Sequence, residues 1–424
     1  MLLATGLLIV PLASAATFGR PAEIPLSQAP VTVATLDATQ DGIDDVVVGH
    51  ATPPGLTVLP GNQDGSFERP LEDRTSATPR SLSVADVDSD GGDDLIVVLG
   101  NEIAVYTSVD GALVRQASVT APAASAVIAT DLDLDGNNDL IAGSTSRPVV
   151  TVFPGFGDGT FGSGQDYAAG SVATTLYSTD LNGDELPDIA VGGTSVSALF
   201  GNGDGTLGSP VTMLGSREAL AITGDDFDSD GDVDLAVALR PNTIDVLFNT
   251  GDGQFPAGTI IRVGGTPVAI GAAFIDDDST TDLVTANRGT NDVSIVAGLE
   301  EGGFRAETRV KVGKGPAGMA IDDLDSEGRS DLVVANRVSR SVTVLLNGVD
   351  APQPVVCLVP AVARRKLAVA RRLVIGAHCK LAALRRRYSG RVKKGRVISV
   401  SPKPGTRRPI DTPVTVLLSR GPKR

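Results

Sequence analysis

A nine-residue acidic segment recurs along the chain and constrains its fold more than any other feature. Its clearest copy, residues 86–94, reads DVDSDGGDD, with carboxylates at positions one, three, five and nine and Gly91 at position six. Aligned on the ninth position, successive copies are 49, 45, 49, 46, 48 and 49 residues apart. The ninth positions are Asp45, Asp94, Asp139, Asp188, Asp234, Asp282 and Asp331. Seven units of this length with strand patterns predict a solenoid or a propeller.

Alternate carboxylates around a glycine suit a short loop that wraps a hard cation. Ca²⁺ takes six to eight oxygen ligands, and glycine permits the sharp turn. Residues 83–85 and 95–98 on either side are apolar and β-branched, so the segment is predicted to cap a β-hairpin. It is not an EF-hand, because position twelve is Val97 rather than Glu and no helical pattern flanks it.

Each unit contains four strand patterns in a fixed order. In the fourth unit they fall at residues 172–176, 188–191, 195–200 and 211–213, with a GNGDG turn between the third and the fourth. The Gly-Asp-Gly turns are hairpin signals that supply positive φ angles. Four short antiparallel strands per unit predict a propeller blade.

The ends of the repeat region predict a closed ring. The seventh unit stops after its third strand, at residues 341–346, whereas residues 16–19 resemble residues 159–162, which open a fourth strand. We therefore expect the N-terminal segment to complete the last blade and protect its edge.

Charge divides the chain into two parts. Residues 351–424 hold 19 basic residues and one acid, a net charge of +18, whereas residues 1–350 hold 17 bases and 50 acids, a net charge of −33. Residues 1–15 are predicted to be a secretory signal peptide, because an apolar run ends in Ala13-Ser14-Ala15. An ordinary core strand is the alternative for that run. No apolar run is long enough for a membrane helix. The predicted domains are thus 1–15, 16–350 and 351–424.

The basic part has the pattern of a small mixed domain. Residues 364–377 show helical spacing of apolar residues, and short strands are predicted near residues 396–401 and 413–419. Cys357 and Cys379 are the only cysteines, and in a secreted chain such a pair predicts a disulfide. A metal site that includes the adjacent His378 is the weaker alternative, because no fourth soft ligand is evident.

The repeats resemble known families. Segments such as VIATDLDLDGNNDLIAG (127–143) and FPGFGDGTFG (153–162) are similar to the FG-GAP/VCBS repeats of integrin-α-like propellers. The resemblance covers nearly all of residues 16–350. It implies an all-β fold, a seven-bladed β-propeller of four-stranded blades, with Ca²⁺ in hairpin loops between the first and second strands.

Residues 351–424 resemble a PASTA domain of the secreted, disulfide-bearing type, a small α+β fold. The matching residues include Val359-Pro360, Cys379-Lys380, Tyr388-Ser389, Lys394-Gly395 and Pro404-Gly405-Thr406. PASTA domains occur on penicillin-binding proteins and wall-facing Ser/Thr kinases, and several bind peptidoglycan fragments. The resemblance implies wall binding and a Gram-positive, actinobacterial origin.

The loops differ in their fit to the full ligand pattern. Three loops match fully, and they comprise Asp86, Asp88, Asp90 and Asp94; Asp131, Asp133, Asp135 and Asp139; and Asp226, Asp228, Asp230 and Asp234. Three altered loops comprise Asp37, Asp41 and Asp45; Asp180, Asn182, Asp184 and Asp188; and Asp323, Asp325, Glu327 and Asp331. In these, Thr39 stands at position three, Glu185 at position six and Glu327 at position five, respectively. The remaining loop has Phe274 at position one and Ser279 at position six, so Asp276, Asp278 and Asp282 should make a poor site.

These features together favour a non-enzymatic binding or adhesion protein. The hypothesis is a monomeric, secreted, wall-associated chain whose Ca²⁺-stabilised propeller presents a face to an unknown protein or glycan. Its basic domain would contact peptidoglycan or anionic wall polymers rather than nucleic acid. Absence of Trp argues against a sugar-stacking cleft, and no nucleophile or phosphate-binding motif is present. The alternatives are a soluble lectin-like propeller with the tail as spacer, and a polysaccharide-active enzyme.

Overall fold

The structure is a computed structural model that describes residues 18–109, 111–256, 258–276, 278–299, 302–348, 356–377, 379–409 and 413–423. For residues 356–357 and 407–409 only the backbone is described. The chain divides into two compact units, with the boundary between Asn347 and Gly348. The predicted signal peptide, residues 349–355 around the predicted domain boundary and His378 lie outside the described residues.

Seven four-stranded antiparallel sheets make up the first unit, so the predicted seven-bladed architecture is confirmed. The first four blades are β2–β5, β6–β9, β10–β13 and β14–β17, and β1 precedes them. Their bounds are β1 Ala22–Pro25, β2 Pro30–Leu36, β3 Asp45–Ala51, β4 Pro54–Leu59, β5 Leu71–Arg74, β6 Pro79–Ala85, β7 Asp94–Leu99, β8 Glu102–Val109, β9 Ala112–Thr120, β10 Ala124–Thr130, β11 Asp139–Ser144, β12 Val149–Phe153, β13 Gln165–Ala168, β14 Thr175–Thr179, β15 Asp188–Gly192, β16 Val196–Leu199 and β17 Val211–Leu214.

The last three blades follow the same order. Blade five is β18–β21, blade six combines β22–β24 with β27, and blade seven combines β28–β30 with β1. A short hairpin, β25 and β26, interrupts blade six before its outer strand. The bounds are β18 Ala219–Asp225, β19 Asp234–Leu239, β20 Thr243–Leu247, β21 Gly258–Arg262, β22 Pro267–Ala273, β23 Asp282–Asn287, β24 Asp292–Val296, β25 Gly298–Leu299, β26 Gly303–Phe304, β27 Thr308–Lys311, β28 Pro316–Asp322, β29 Asp331–Asn336 and β30 Ser341–Leu345.

The N-terminal segment closes the ring, as the sequence predicts. Strand β1 pairs antiparallel with β30, with Ala22 opposite Val344 and Pro25 opposite Ser341. The N–H of Gly19 extends this contact by donating to the Leu346 carbonyl at 2.9 Å. The first strands of successive blades lie against one another, and β28 of the last blade contacts β2 of the first. The outer edge of blade seven is thereby paired within the chain.

The strands of a blade differ in burial according to their position in the sheet. The second strand is buried along its whole length, as in β7, because other strands pair with both its edges and neighbouring blades cover both its faces. The outer strand is mostly exposed, as in β5. Apolar clusters join adjacent blades, for example Val47 of blade one with Leu95 and Val97 of blade two. This stacking fixes the acidic loops, which all connect a first strand to a second, at one end of the ring.

The second unit contains one helix and two small sheets. Its bounds are β31 Val356–Leu358, α1 Leu367–Gly376, β32 Lys380–Arg387, β33 Val397–Ser401, β34 Arg407–Pro409 and β35 Pro413–Ser419. The helix and the strands near residues 396–401 and 413–419 lie where the sequence predicts them. Strand β32 was not predicted, because its alternation is weak and most of its side chains are exposed. It forms the edge of a sheet in the order β32-β35-β33.

In the part of the chain that the structure describes, no helix is long and apolar enough to cross a membrane.

Candidate metal centres

The fully matched loops share one backbone arrangement, set by the carboxylate at position one. In the loops that begin at Asp86, Asp131 and Asp226, this carboxylate accepts the N–H of the sixth-position glycine at 3.0–3.1 Å. That glycine has a φ of 90°, 95° or 102°. Side chains other than glycine rarely adopt this conformation. The glycine therefore allows the chain to fold back onto the first carboxylate.

The carboxylates at positions three and five hold the turn with one oxygen each. In the second blade, Asp88 Oδ1 accepts the N–H of Asp90 at 3.2 Å, and Asp90 Oδ1 accepts the N–H of Gly92 at 2.8 Å. The arrangement is repeated in the third and fifth blades. Oxygens of three carboxylates consequently lie within 4.8 Å of one another. These groups are Asp86, Asp88 and Asp90; Asp131, Asp133 and Asp135; and Asp226, Asp228 and Asp230.

Two of these groups contain a buried carboxylate oxygen without a donor. Oδ1 of Asp131 and Oδ1 of Asp226 have no hydrogen-bond partner among the described residues. Burial, and then the neighbouring Asp230 carboxylate, raise the pKa of Asp226. A buried, unpartnered carboxylate oxygen beside two like charges is costly unless a cation compensates it. The donor set, all oxygen and all acidic, fits a hard divalent cation.

The ninth-position carboxylate has a different role from the other three. It is almost fully buried. In blades two to seven it accepts the N–H of the second loop residue, as Val87 donates to Asp94 at 3.0 Å, and in blade one the N–H of Thr39 donates instead. In every blade but the second, its other oxygen accepts an N–H two residues beyond the third strand, as Gly155 donates to Asp139 at 2.7 Å. In those six blades it therefore clamps the loop to the third strand of its own blade.

Burial dominates the electrostatics of these clamps. It raises the pKa of Asp234 and Asp331 to about 7, although backbone N–H groups stabilise their ionised forms. It raises the pKa of Asp94, Asp188 and Asp282 to about 6. In the three fully matched loops, the ninth position does not belong to the group of three nearest carboxylates. The sequence pattern alone did not separate the clamp from the candidate ligands.

The first and fourth loops keep the same turn although each departs from the full pattern. In the first loop, both oxygens of Asp37 accept backbone N–H groups, from Asp41 and Gly42. In the fourth, Glu185 adopts the φ of 71° that glycine takes elsewhere, and its N–H still donates to Asp180 at 2.9 Å. The turn is therefore formed despite both replacements.

The sixth and seventh loops bring a different set of carboxylates together. Asp276, Asp278 and Asp282 lie within 4.8 Å of one another, as do Asp323, Asp325 and Asp331. In the sixth loop, Asp276 Oδ2 is buried without a hydrogen-bond partner among the described residues. These are the three carboxylates that the sequence names for the sixth loop, where the ninth-position residue takes the place of the missing first one. That they make a poor site stays a prediction. Glu327 is not part of the seventh-loop group.

Each loop is also supported by the following blade. The side-chain amide of Asn138 in blade three donates to the Asp86 carbonyl of blade two at 2.7 Å. The second glycine of a Gly-Asp-Gly turn lies against position three of the preceding loop, so a Cβ on Gly159 would be 3.5 Å from Asp88 Cβ. A Cβ on Gly302 would be 2.9 Å from Asp228 Cβ. Sequence reasoning treated these turns only as hairpin signals, although their regular recurrence was the available sign of this contact.

The described histidine, His50, has a structural role. His50 is buried, and its ring nitrogens lie 2.9 Å from the Pro53 carbonyl and 3.1 Å from Thr57 Oγ1, so it stabilises the hairpin between β3 and β4. His378 lies outside the described residues. The predicted disulfide includes Cys357, whose side chain is not described, so this pairing stays a prediction. Cys379 itself is buried in the core of the second unit.

Basic side chains line two concavities of the second unit. One, of about 290 Å³, is lined by Arg364, Arg391, Val392, Lys393 and Arg396. The other, of about 880 Å³, lies between α1 and β32 and is largely apolar, with arginines contributed by the helix. Among the described residues of this unit, no carboxylate lines either concavity. The second unit therefore presents positive charge where a ligand could enter.

Two protein families match parts of the chain. The FG-GAP-like repeat family matches residues 37–97, and the PASTA domain family matches residues 358–420. The chain contains an FG-GAP-like repeat and a PASTA domain. The first of these matches covers the acidic loops of blades one and two, and the second covers most of the basic unit. No curated protein matches the sequence.

Solved structures show the same propeller fold at low sequence identity. BBS1N in complex with ARL6DN, a β-propeller, aligns with a TM-score of 0.58 at 12% identity in its mercury-soaked form, over 79% of this chain and 98% of that one. The lead-soaked form aligns with a TM-score of 0.57 at 13% identity, over 80% and 99%. A lectin from Agrocybe aegerita, described as recognising non-reducing terminal N-acetylglucosamine, aligns with a TM-score of 0.50 at 18% identity, over 67% and 80%. These similarities concern the fold alone.

Proposed function

We propose that this chain is a secreted, wall-associated binding or adhesion protein without enzymatic activity. Its propeller is stabilised by Ca²⁺ and presents an interaction face, and its PASTA domain contacts peptidoglycan or anionic wall polymers. The observation that carries the proposal is the combination of an acidic repeat ring with a basic PASTA domain in one chain. The acidic loops of the ring supply sites for metal cations. The basic side chains of the PASTA domain supply positive charge for an anionic partner.

The Ca²⁺ part rests on the unpartnered oxygens. Asp131 and Asp226 each keep a buried oxygen without a donor, and the carboxylates at positions three and five stand close by. A bound Ca²⁺ would compensate two of the three mutually repelling charges and hold the hairpin against the next blade. In the fully matched loops, residues at positions one, three and five would hold it. In the sixth loop the ninth-position residue would replace the one at position one, and in the seventh it would replace the one at position five. This role is structural, and it leaves the ring faces free for a partner.

The wall-binding part rests on the basic concavity of the PASTA domain. Arg364, Arg391, Lys393 and Arg396 converge around it, and Arg396 also donates to the Arg364 carbonyl at 3.2 Å. Peptidoglycan stems carry carboxylates and teichoic acids carry phosphates, so both are suited to guanidinium and ammonium groups. The attraction should weaken as ionic strength rises.

Sedimentation of the full chain with purified peptidoglycan tests this part. The double variant Arg364→Glu/Lys393→Glu should reduce the bound fraction several-fold, and added salt should do the same to the parent chain. Arg262→Glu, an exposed reversal in β21 of the propeller, serves as the control and should bind as the parent does. If the double variant and a chain truncated after residue 350 both sediment like the parent, wall binding by the PASTA domain is wrong.

The partner of the propeller face needs a separate experiment. The fold similarity to a lectin favours a glycan as the first class to test. A glycan and protein array, probed with and without Ca²⁺, should give a calcium-dependent signal if the ring presents the ligand. A screen for released reducing or unsaturated sugars addresses the enzyme alternative, and release above background would contradict the non-enzymatic proposal.

A further inference from the structure

The end of the ring opposite the metal loops carries a group of arginines. Arg240, Arg288 and Arg337 occupy equivalent places in blades five, six and seven, each directly after the second strand of its blade. Because these blades are consecutive, the three turns lie side by side. Arg240 forms an ion pair with Glu218 at 2.9 Å. The other two arginines form no ion pair within the described part of the chain.

A concavity of about 380 Å³ lies between blades six and seven at this end. It is lined by Arg288, Asn291, Lys314, Gly315, Arg337 and Val338. None of the described residues that line it is a carboxylate, although the first 350 residues carry a net charge of −33. Its volume falls in the range of small-ligand pockets, roughly 300–1,000 Å³.

Backbone contacts hold the walls of the concavity in place. The N–H of Gly315 donates to Asn291 Oδ1 at 2.7 Å, which joins blade seven to blade six. The N–H of Arg337 donates to the Gly315 carbonyl at 2.9 Å, and that of Val338 donates to the Lys314 carbonyl at 3.0 Å. The cations are thus attached to a fixed frame, so a ligand would not have to order these segments.

One arginine is oriented by the protein itself. Nε of Arg288 donates to the Pro316 carbonyl at 3.1 Å, so its terminal nitrogens remain available to a ligand. Partial burial, together with the Arg337 and Arg240 guanidiniums, lowers the pKa of Arg288 from its usual range. Like charges held close together are unfavourable unless an anion compensates them.

We propose that this concavity binds the phosphate group of a phosphate monoester. Arg288, Lys314 and Arg337 supply three positive charges from two blades. A phosphate monoester is close to doubly charged at neutral pH, so it compensates two of the three, whereas a carboxylate compensates one. Arginine side chains also present paired N–H donors that match phosphate oxygens. The site is separate from the metal loops and from the PASTA domain.

Hydrogen exchange with mass spectrometry on the full chain tests the assignment, because it locates the ligand. Glucose 6-phosphate, at constant ionic strength and with Ca²⁺ present, should slow exchange in peptides that cover residues 311–318 and 336–341. Glucose and glucuronate should not slow it in these peptides. Any binding by the basic PASTA domain would be seen in other peptides and would not be confused with this site.

Variants in the same assay give the decisive comparison. Arg288→Gln and Arg337→Gln should each raise the concentration of glucose 6-phosphate needed for half-maximal protection by roughly tenfold or more. The reason is that each variant removes a charge-assisted hydrogen bond. Arg262→Gln, which removes an exposed charge from β21, should leave it unchanged. If either arginine variant melts below the parent, Lys314→Gln, which also changes the lining of the concavity, is measured in its place. The proposal is overturned if the two peptides are not protected, if glucuronate protects them equally, or if all variants respond alike.

Discussion

Asparagine in place of Asp226 should have opposite effects on stability with and without calcium. Asp226 Oδ2 accepts the Gly231 N–H at 3.0 Å, whereas its Oδ1 is buried without a partner and faces two further carboxylates. Without a cation, the amide removes one of three mutually repelling charges and can keep the bond to Gly231. With a cation, the same change removes a charged ligand. The calcium-dependent part of the stability should therefore fall.

The size of the effect follows from the expected affinity. Extracellular calcium modules bind with Kd of about 10⁻⁴–10⁻³ M, so at roughly 10 mM free Ca²⁺ one site adds about 1.4–2.7 kcal/mol to the free energy of unfolding. A propeller of about 330 residues has an unfolding entropy near 0.7 kcal/mol/K. One site is then worth about 2–4 °C in melting temperature. Chelation of the three fully matched sites should lower it by about 6–12 °C.

Thermal unfolding followed by far-ultraviolet circular dichroism measures this, since the chain has no Trp for fluorescence. The parent and Asp226→Asn are compared in excess chelator and in Ca²⁺ at the same ionic strength. Asp73→Asn, which removes an exposed carboxylate from β5, is the matched control and should respond to Ca²⁺ as the parent does. The reasoning would be refuted if Asp226→Asn changed the melting temperature by the same amount in both conditions. It would also be refuted if the melting temperature of the parent were the same with and without chelator.

Three further changes test other parts of the molecule. Gly302→Ala should cost about 1–3 kcal/mol in chemical unfolding, because the new methyl group meets the preceding loop, whereas Gly205→Ala, with the same backbone conformation and more space, should cost less. Asn287→Leu should cost about 3 kcal/mol in the same measurement, because this fully buried amide holds a polar network in blade six. Cys357 and Cys379 should resist alkylation until a reductant is added, and reduction should lower the stability of the PASTA domain by roughly 3 kcal/mol. Labelling of both thiols in the unreduced, unfolded chain would contradict the predicted disulfide.

Much of the fold could be predicted because each blade repeats a short-range pattern. Residues 83–85 and 95–98 include the apolar and β-branched side chains typical of strands. The acidic loop between them fixes where one strand ends and the next begins. Strand limits that no loop fixes were less accurate. In the fourth blade the first strand begins at Thr175 rather than at residue 172, because the preceding residues connect it to blade three. Strand β32 was missed because exposed arginines conceal its pairing with β35.

The candidate site was predicted less completely, because its geometry depends on residues that are distant in sequence. The ninth-position Asp139 is held by the N–H of Gly155, sixteen residues later, which the local spacing does not indicate. The grouping of Asp276 with Asp282 also depends on how the loop folds back, since the pattern lacks its first carboxylate. The nine-residue pattern thus identifies the candidate ligand residues. Which of their oxygens lie close together is seen only in the folded blade.

The contacts between blades extend the role of the loops beyond single hairpins. The amide of Asn138 in blade three donates to the carbonyl of Asp86, the first residue of the loop in blade two. Asn249 in blade five makes the same type of bond to Leu181 in blade four, and Asn347 in blade seven makes it to Ile275 in blade six. A cation that orders one loop would therefore also order a surface on which the next blade packs. These bonds join blade three to two, five to four and seven to six, so stability gained at a loop in the first blade of each pair would be shared with the blade that follows it. If the loops bind Ca²⁺ as proposed, sites arranged in this way would stabilise packing between blades as well as single hairpins, as expected of a scaffold whose ligand binds elsewhere on its surface.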